Sequence, residues 1–381
     1  MQVVVLAGGI GSRLKPWTNS MPKPLLPMLD RTLLEQVIYS MPPNLVDEVI
    51  VAGGYKVDMI KSHFDSLNCD FDITIVNETE PLGTGGALGN CRDYVTGTFA
   101  CFNGDIISSL DISELLNLHK YNGGIGSLGL WEVADPTRFG IVGVDENNKV
   151  TQFKEKPKPN EVFSKLINAG SYIFEQEIFD HMPQGKHSLE RAVFPMLAEK
   201  NLLNGMQFHG YFIDAGTRDS WNQAVSRCIS ESRFAKGSRH QNSWFGDAGQ
   251  ITDMTNITQS MIDSGSTIEA SIIAKSTILG NSIIGRNCTI SNSLIGRNCR
   301  IGDNCLIKYS FVLTDTPNLE ENDVKQVKGV GHGSMIGANV TLMPNTSIGN
   351  NCVIGACSQV RDDVPDNEIW FGNPAKLYKK K

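Results

Sequence analysis

The sequence predicts an α/β domain built on a mostly parallel sheet, followed by a solenoid of six-residue repeats. Three observations predict it. Short apolar runs alternate with helical patterns up to about residue 230, a six-residue step replaces them from about residue 262, and 381 residues exceed what a single core usually organises. The expected division is therefore a first domain at 1–230, a linker at 231–261 and a second domain at 262–381.

In chain order, "QVVVLAG", "DEVIVAGG", "FDITIVNE", "TFACFNGD" and "IGSLGLWEV" read as strands, and "LLEQVIYSM", "KVDMIKSHF" and "DISELLNLHK" read as helices. Strands spaced by helices indicate crossover connections and a mostly parallel sheet. Such sheets bind ligands at the carboxyl ends of their strands, so the loops after the strands are where chemistry is expected. The stretch from Glu231 to Met254 has no clear period and is rich in polar residues and glycine, which reads as a linker with some helix at its start.

Beyond it, Ile278, Ile284 and Ile290 keep a six-residue step, as do Ile295, Ile301 and Ile307 after a one-residue slip. Ile336, Leu342, Ile348, Ile354 and Val360 resume it, with Gly337, Gly349 and Gly355 each directly after an isoleucine. A period of this kind stacks aliphatic residues inward along a solenoid. Over residues 262–375 the pattern resembles the hexapeptide-repeat left-handed parallel β-helix. Cys288, Cys299, Cys305 and Cys352 each stand two residues before an inward aliphatic, where a small side chain fits the coil, and Cys357 falls in the following turn. The segment near 314–333 reads as a loop thrown out from one coil.

Composition removes several function classes. A net charge of −7 argues against a nucleic-acid surface, which needs a basic patch to displace counterions. The run Lys379, Lys380, Lys381 reads as a solvated tail. No apolar run approaches the roughly 20 residues of a membrane span, and nine cysteines without CxxC or zinc spacing fit free thiols in a reducing cytoplasm. A soluble, cytoplasmic protein without a leader is the expectation.

The first strand runs into "LAGGIGSRLKPWTNSMPKPLLP". Small residues after a strand let backbone N–H groups approach phosphate oxygens. The dinucleotide fingerprint would need a third glycine where Leu14 stands, and the GK[ST] of a P-loop is absent. What remains is a glycine loop followed by two cations, Arg13 and Lys23, which suits a nucleoside triphosphate.

Together with "PLGTGGAL" (Pro81 to Leu88), "NGD" (Asn103 to Asp105), "EKP" (Glu155 to Pro157), "INAG" (Ile167 to Gly170) and "YFIDAGT" (Tyr211 to Thr217), this stretch resembles the sugar-1-phosphate nucleotidylyltransferases, in the order that family shows. The resemblance implies a Rossmann-like domain in which a sugar-1-phosphate oxygen attacks the α-phosphorus of an NTP and pyrophosphate leaves. By the same resemblance Arg13 holds the β and γ phosphates, Lys23 sits beside the α-phosphate, Lys156 binds the sugar phosphate, and Asp105 and Asp214 hold a magnesium ion. Two carboxylates suffice for that ion when phosphate oxygens complete its shell.

The implied nucleotide site comprises Leu6, Ala7, Gly8, Gly9, Gly11, Ser12, Arg13, Glu80, Gly83, Thr84, Gly85 and Gly86. The sugar-phosphate site comprises Gly104, Gly140, Glu155, Lys156, Asn168 and Gly170. Gly85 and Gly86 are expected to let backbone meet the base edge, with Glu80 or Glu78 accepting the two adjacent donors of guanine. The pattern looks most like the mannose-1-phosphate guanylyltransferase branch, which makes GTP and mannose-1-phosphate the expected substrates. Alternatives are a uridylyl- or thymidylyltransferase using glucose-1-phosphate or N-acetylglucosamine-1-phosphate, a guanylyltransferase using heptose-1-phosphate, an added acetyltransferase activity with His332 as base, and a catalytically silent subunit that binds nucleotide sugar. Trp17 departs from the leucine usual in the motif and is expected not to touch the chemistry, an effect on the wall near the nucleotide being left open. Association through the solenoid into a dimer or tetramer is the expected assembly.

Overall fold

The computed structural model describes residues 1–313, 329–343 and 346–381. It divides into two compact units, the first formed by Met1–Arg13, Met21–Leu26 and Thr32–Gly216, the second by Leu14–Ser20, Pro27–Arg31 and Thr217–Lys381.

The first unit is built on a nine-stranded sheet. Its parallel half comprises β1 (Gln2–Leu6), β2 (Glu48–Gly53), β3 (Asp72–Asn77) and β4 (Phe99–Asn103), in the spatial order β4-β1-β2-β3. Val3, Val4 and Val5 are fully buried, as expected of an unbroken β-branched run in a parallel strand covered on both faces. A short ribbon pairs β5 (Ile106–Ser108) with β11 (Phe212–Asp214). The rest of the sheet is supplied by β6 (Gly126–Glu132), β7 (Gly140–Val144), β8 (Val150–Glu155), β9 (Leu166–Phe174) and β10 (Leu203–Gln207). Strand β9 runs antiparallel to β4, β6 and β7, which makes the sheet mixed.

Helices α1 (Leu33–Ile38), α2 (Val57–Asp65) and α4 (Ile112–Asn122) fall where the apolar spacing predicts them, and α3 (Gly83–Gly89), glycine-rich and not read as a helix in the sequence, follows the loop after β3. Thr32 and Glu35 form a reciprocal capping box on α1, and Asp111 caps α4. The core beneath is aromatic: Tyr172 stacks on Phe174 with ring centroids 5.1 Å apart, and Phe194 lies 5.4 Å from Tyr172.

In the second unit, short strands stack in three parallel sheets. The inward residues include those the period picked out, joined by Ile262, Ile273 and Val312: Ile262, Ile278, Ile295, Val312, Leu342 and Val360 lie in register on one sheet, and Ile273, Ile290, Ile307, Ile336 and Ile354 on another. All are buried, as are Cys288, Cys299, Cys305 and Cys352, while Cys357 is exposed in its turn. All nine cysteines are free thiols.

The coils begin earlier than the sequence suggests. Ser243–Phe245 pairs in parallel with Met261–Ile262, Gln250–Ile251 with Thr267–Ile268, and Asn256–Thr258 with Ile272–Ala274, so the stretch read as a linker forms the first turn of the solenoid. Phe245, Ile251 and Ile257 do keep the six-residue step, but an aromatic and a polar surround replace the isoleucine–glycine signature. Of the expected loop, 314–328 lies outside the described residues, and Gly329–Val330 is already a coil strand paired with Arg300–Ile301. The basic end is not a free tail: Ala375–Lys380 is a strand antiparallel to Glu368–Gly372.

The longest helix, α6 (Arg218–Ser230), follows a short helix α5 (Phe194–Glu199) of the first unit. Thr217 caps α6, and the Arg218 guanidinium donates to the Tyr309 carbonyl at 2.6 Å. Trp17 is buried with its ring edge-on to Trp221 of α6, 5.2 Å between centroids, so it serves the core of the second unit and not a nucleotide wall. No helix among the described residues is long and apolar enough to cross a membrane.

Two measurements follow. Ile284 is fully buried while its neighbour Ile283 is 41% exposed. Ile284→Ala should therefore cost about 2–5 kcal/mol in urea unfolding, and Ile283→Ala less than about 1 kcal/mol; equal losses would contradict the inward–outward alternation. Burial works against the charge of Glu35, but hydrogen bonds from His63 and Thr32 outweigh it and hold the carboxyl below its ordinary 4.5. A depressed carboxyl stabilises above the unfolded-state pKa and stops doing so as pH falls through the folded one. The stability advantage of the wild type over Glu35→Gln should thus be present at neutral pH and shrink below about pH 4.5.

Candidate active site

Strand β1 has its sequence successor β2 on one side and β4 on the other, so the chain reverses direction of winding there. Peptide groups at the carboxyl ends of β1 and β4 diverge and leave a crevice, the usual ligand position in an open parallel sheet. A cleft of about 350 Å³ opens there. Leu6, Ala7, Gly8 and Gly9 line it from the loop after β1, Asn103, Gly104 and Asp105 from the end of β4, and Glu78, Pro81, Gly83 and Thr84 from the loop after β3 and the start of α3. Lys23, Pro24 and Ala87 complete the wall. Gly11, Ser12 and Arg13 continue the β1 loop outside this lining.

Four charged side chains meet at its mouth. Lys23 opens a 3-10 turn, held between Pro22 and Pro24, and its side chain is only 8% exposed. Its Nζ donates to Asp105 Oδ2 at 2.5 Å and lies 4.0 Å from Asp214 Oδ1. Arg13 Nη2 is 3.4 Å from Asp214 Oδ2. The ribbon explains how residues so distant in sequence converge: Asp214 is in register with Ile106, and the Ala215 N–H donates to the Asp105 carbonyl at 3.0 Å. Asp214 Oδ1 is buried without a hydrogen-bond donor. An acceptor left so, beside a second carboxylate at a cleft mouth, fits a divalent cation completed by phosphate oxygens.

Of the two glutamates considered for the base, Glu78 lines the cleft and Glu80 does not. Glu80 is exposed and absent from the lining, whereas Glu78 is buried, accepts from the Leu82 N–H at 3.3 Å and keeps Oε1 without a donor. Burial pushes its carboxyl up, only partly opposed by that N–H. A Cβ on Gly8 would strike the Glu78 carboxylate, so glycine there is what admits the acid to the cleft. Gly85 and Gly86 do not offer their N–H groups to a base; both donate to the His187 carbonyl, at 3.1 and 3.2 Å, and the His187 ring occupies the space above Gly85. Thr84 turns inward to Glu190 Oε2 at 2.6 Å.

The residues expected to hold sugar phosphate form a second group along the same sheet edge. Glu155 pairs with Gly140 across β8 and β7, and Ile167 with Ile141 across β9 and β7, which sets Glu155, Gly140 and Asn168 in one row. Asn168 is oriented at both ends of its amide, donating to the Tyr172 hydroxyl at 2.8 Å and accepting from the Gly170 N–H at 3.2 Å. Burial raises the Glu155 carboxyl, the charge of Glu190 adds to this, and Lys156 opposes it from 3.5 Å. Lys156 itself is 59% exposed. Asn103 joins the two groups: it lines the cleft, its side chain abuts Gly170, and its Oδ1 is buried without a donor. Only the "NGD" motif hinted at Asn103, and the sequence carried no signal for Glu190, whose contacts with Thr84 and Ser188 span the fold.

In the solenoid, His332 is bound into a turn between coils. Its Nδ1 accepts the Asp303 N–H at 2.8 Å, which engages the ring nitrogen nearest the backbone in holding the coil.

A nucleotidyl transferase family model matches residues 2–231, a GlmU-like C-terminal hexapeptide model residues 226–312, and a bacterial transferase hexapeptide model (six repeats) residues 329–362. The chain is 35% identical over 247 residues to a mannose-1-phosphate guanylyltransferase of Mycobacterium tuberculosis, covering 63% of this chain and 68% of that one. It is 33% identical to the catalytic subunit beta of the same activity in Dictyostelium discoideum, covering 57% and 61%. Among solved structures, HddC from Yersinia pseudotuberculosis complexed with GMP-PN superposes with a TM-score of 0.51 at 28% identity, covering 59% of this chain and 98% of HddC. With the switch-point cleft, its cations and carboxylates, and a family model spanning more than half its length, the chain belongs to the nucleotidyl transferase family and carries hexapeptide repeats behind the catalytic fold.

Proposed function

We propose that the chain transfers a guanylyl group from GTP to mannose-1-phosphate, forming GDP-mannose and releasing pyrophosphate. The observation that carries this reading is the buried Glu78 carboxylate, which lines the same cleft as Lys23 and Asp105 with one oxygen unpartnered. Guanine presents two adjacent donors that a carboxylate can accept together, a match no other common base offers. The names of the relatives point the same way.

In this reaction a phosphate oxygen of the sugar forms a bond to the α-phosphorus, and the bond from that phosphorus to the pyrophosphate oxygen breaks. Catalysis is then largely positioning and charge compensation. Lys23, buried and held between prolines, is set to exchange its contact with Asp105 for the α-phosphate. Arg13, more exposed, follows charge onto the leaving pyrophosphate. Lys156 steers the sugar phosphate, and Asn168 and Glu155 bind hydroxyls. Asp105 and Asp214 would hold a divalent ion, magnesium in this reading, which supplies further neutralisation of the phosphates.

The test is pyrophosphate release with magnesium across GTP, UTP, dTTP, ATP and CTP against mannose-, glucose-, glucosamine- and N-acetylglucosamine-1-phosphate. GTP with mannose-1-phosphate should dominate; turnover led by UTP or dTTP would overturn the base assignment, and none with any pair would overturn catalysis. Arg13→Met or Lys23→Met should lower kcat on the order of 10²–10³-fold, with circular dichroism checking that Lys23→Met, which leaves Asp105 without its cation, still folds. Glu78→Gln should lower kcat/KM for GTP by about 10- to 100-fold, the worth of a charged hydrogen bond. Because the raised Glu78 carboxyl must be ionised to accept both donors, wild-type kcat/KM for GTP should fall as pH drops through a value above 4.5, and Glu78→Gln should flatten that limb.

A further inference from the structure

Within the second unit, a groove of about 390 Å³ runs between α6 and one corner of the solenoid. The helix contributes Asp219, Asn222, Gln223 and Ser226, whose spacing sets them on one face, opposite the buried Trp221, Ala224 and Cys228. The solenoid contributes Gln259, Lys275, Asn292 and Tyr309. Each directly follows a strand of one sheet, Asn256–Thr258, Ile272–Ala274, Thr289–Ser291 and Leu306–Lys308, so the four stand one above another at the strand spacing of about 4.8 Å.

These four corner residues share a left-handed backbone, with φ of 49°, 49°, 48° and 50°. That conformation is unfavourable for an L-residue, and least so for glycine or for asparagine, which hydrogen-bonds locally. The other two corners follow this rule: the position is held by asparagine, as at Asn281, Asn298, Asn287 and Asn304, by Gly265 and Gly333, or by the short side chains of Ala248 and Ala270. The coil therefore has no need of the long side chains of Gln259, Lys275 and Tyr309, and all three are exposed instead of packed. Among the described residues, the side chains of Gln259, Lys275, Asn292, Asn222, Gln223 and Ser226 make no hydrogen bond or ion pair. Backbone strain kept where packing does not require it points to a ligand.

We propose that the groove is a second ligand site, built from other residues than the catalytic cleft, which binds a neutral carbohydrate of one or two hexose units. Four amides and a hydroxyl line it, and each offers both a donor and an acceptor, as each sugar hydroxyl does in return. One carboxylate, Asp219, and one ammonium, Lys275, balance in charge, which disfavours a phosphate. Arg218 adds no free cation: its guanidinium donates to the Tyr309 carbonyl at 2.6 Å and lies 3.7 Å from Asp219. Tyr309, 46% exposed, supplies the aromatic surface whose electron-rich face suits the C–H groups of a pyranose ring. The volume is that of a small-ligand site.

The test is saturation-transfer NMR and calorimetric titration of the full chain with methyl α-mannoside, methyl α-glucoside, mannobiose, maltose and trehalose, with circular dichroism for fold. At least one sugar should bind with a millimolar or tighter Kd. Gln223→Ala and Lys275→Asn should each weaken it by about 3- to 10-fold, whereas Asn168→Ala, in the catalytic cleft, should leave this binding in place. Lys275→Asn, which installs the residue preferred at the other corners, should also hold or raise the melting temperature. Absence of binding by every sugar overturns the proposal, as does binding that neither groove variant weakens. A lowered melting temperature in Lys275→Asn would show that the coil itself requires the lysine and removes the ground for the site.

Discussion

A buried ammonium between two carboxylates is the interaction on which the catalytic unit depends. Lys23 touches Asp105 and approaches Asp214, which Arg13 holds from the other side. These four residues come from the loop after β1, the proline-bracketed turn, the end of β4 and the end of β11, so the cluster ties together segments up to 201 residues apart. Without Lys23 the two neighbouring carboxylates would repel each other, and Asp105 would lose its cation. The same geometry is what phosphate chemistry needs. A polyanion entering the cleft finds cations already placed, and carboxylates freed from them become ligands for a metal ion.

The sheet order makes the cluster possible. Because β1 is flanked by β2 and β4, its loop and the Asn103–Asp105 segment face each other across a crevice instead of covering the same helix. Glycine at position 8 then matters less for its own backbone than for its neighbour, since it leaves room for a carboxylate that would otherwise be excluded. That carboxylate is held by one backbone N–H and kept partly from water, a state that favours a ligand able to supply donors.

The solenoid obeys a simpler rule. Each coil buries one aliphatic residue per strand and sets the neighbouring residue outside, so the outward columns are free to specialise without disturbing the core. One is covered by the chain, one is largely polar, and one is mostly apolar, with Asn256 and Thr289 the polar members. Cysteines at the coil corners serve as small buried side chains, with Cys288 Sγ directed to the Gly302 carbonyl at 3.0 Å and Cys352 Sγ to that of Pro365 at 3.0 Å.

Much of this was legible in the chain itself. Unbroken valine runs indicated the central strands and the six-residue isoleucine step most of the residues that fill the solenoid, because each is a local pattern enforced by backbone period; the glycine loop pointed to Arg13 and Lys23, and the resemblance to the nucleotidylyltransferases pointed to Asp105 and Asp214, which the structure brings together with them. Where the period was masked by different residue types, as at Trp244 and Phe245, the first coil passed for a linker. Tertiary structure alone decided which acid enters the cleft, Glu78 over Glu80, that Gly85 and Gly86 serve the His187 segment, that Trp17 packs on Trp221, and that Asn103 and Glu190 stand at the site. Each of these is a contact between residues far apart in sequence, fixed by strand order and by side-chain volume, and neither quantity is written in any local stretch of the chain.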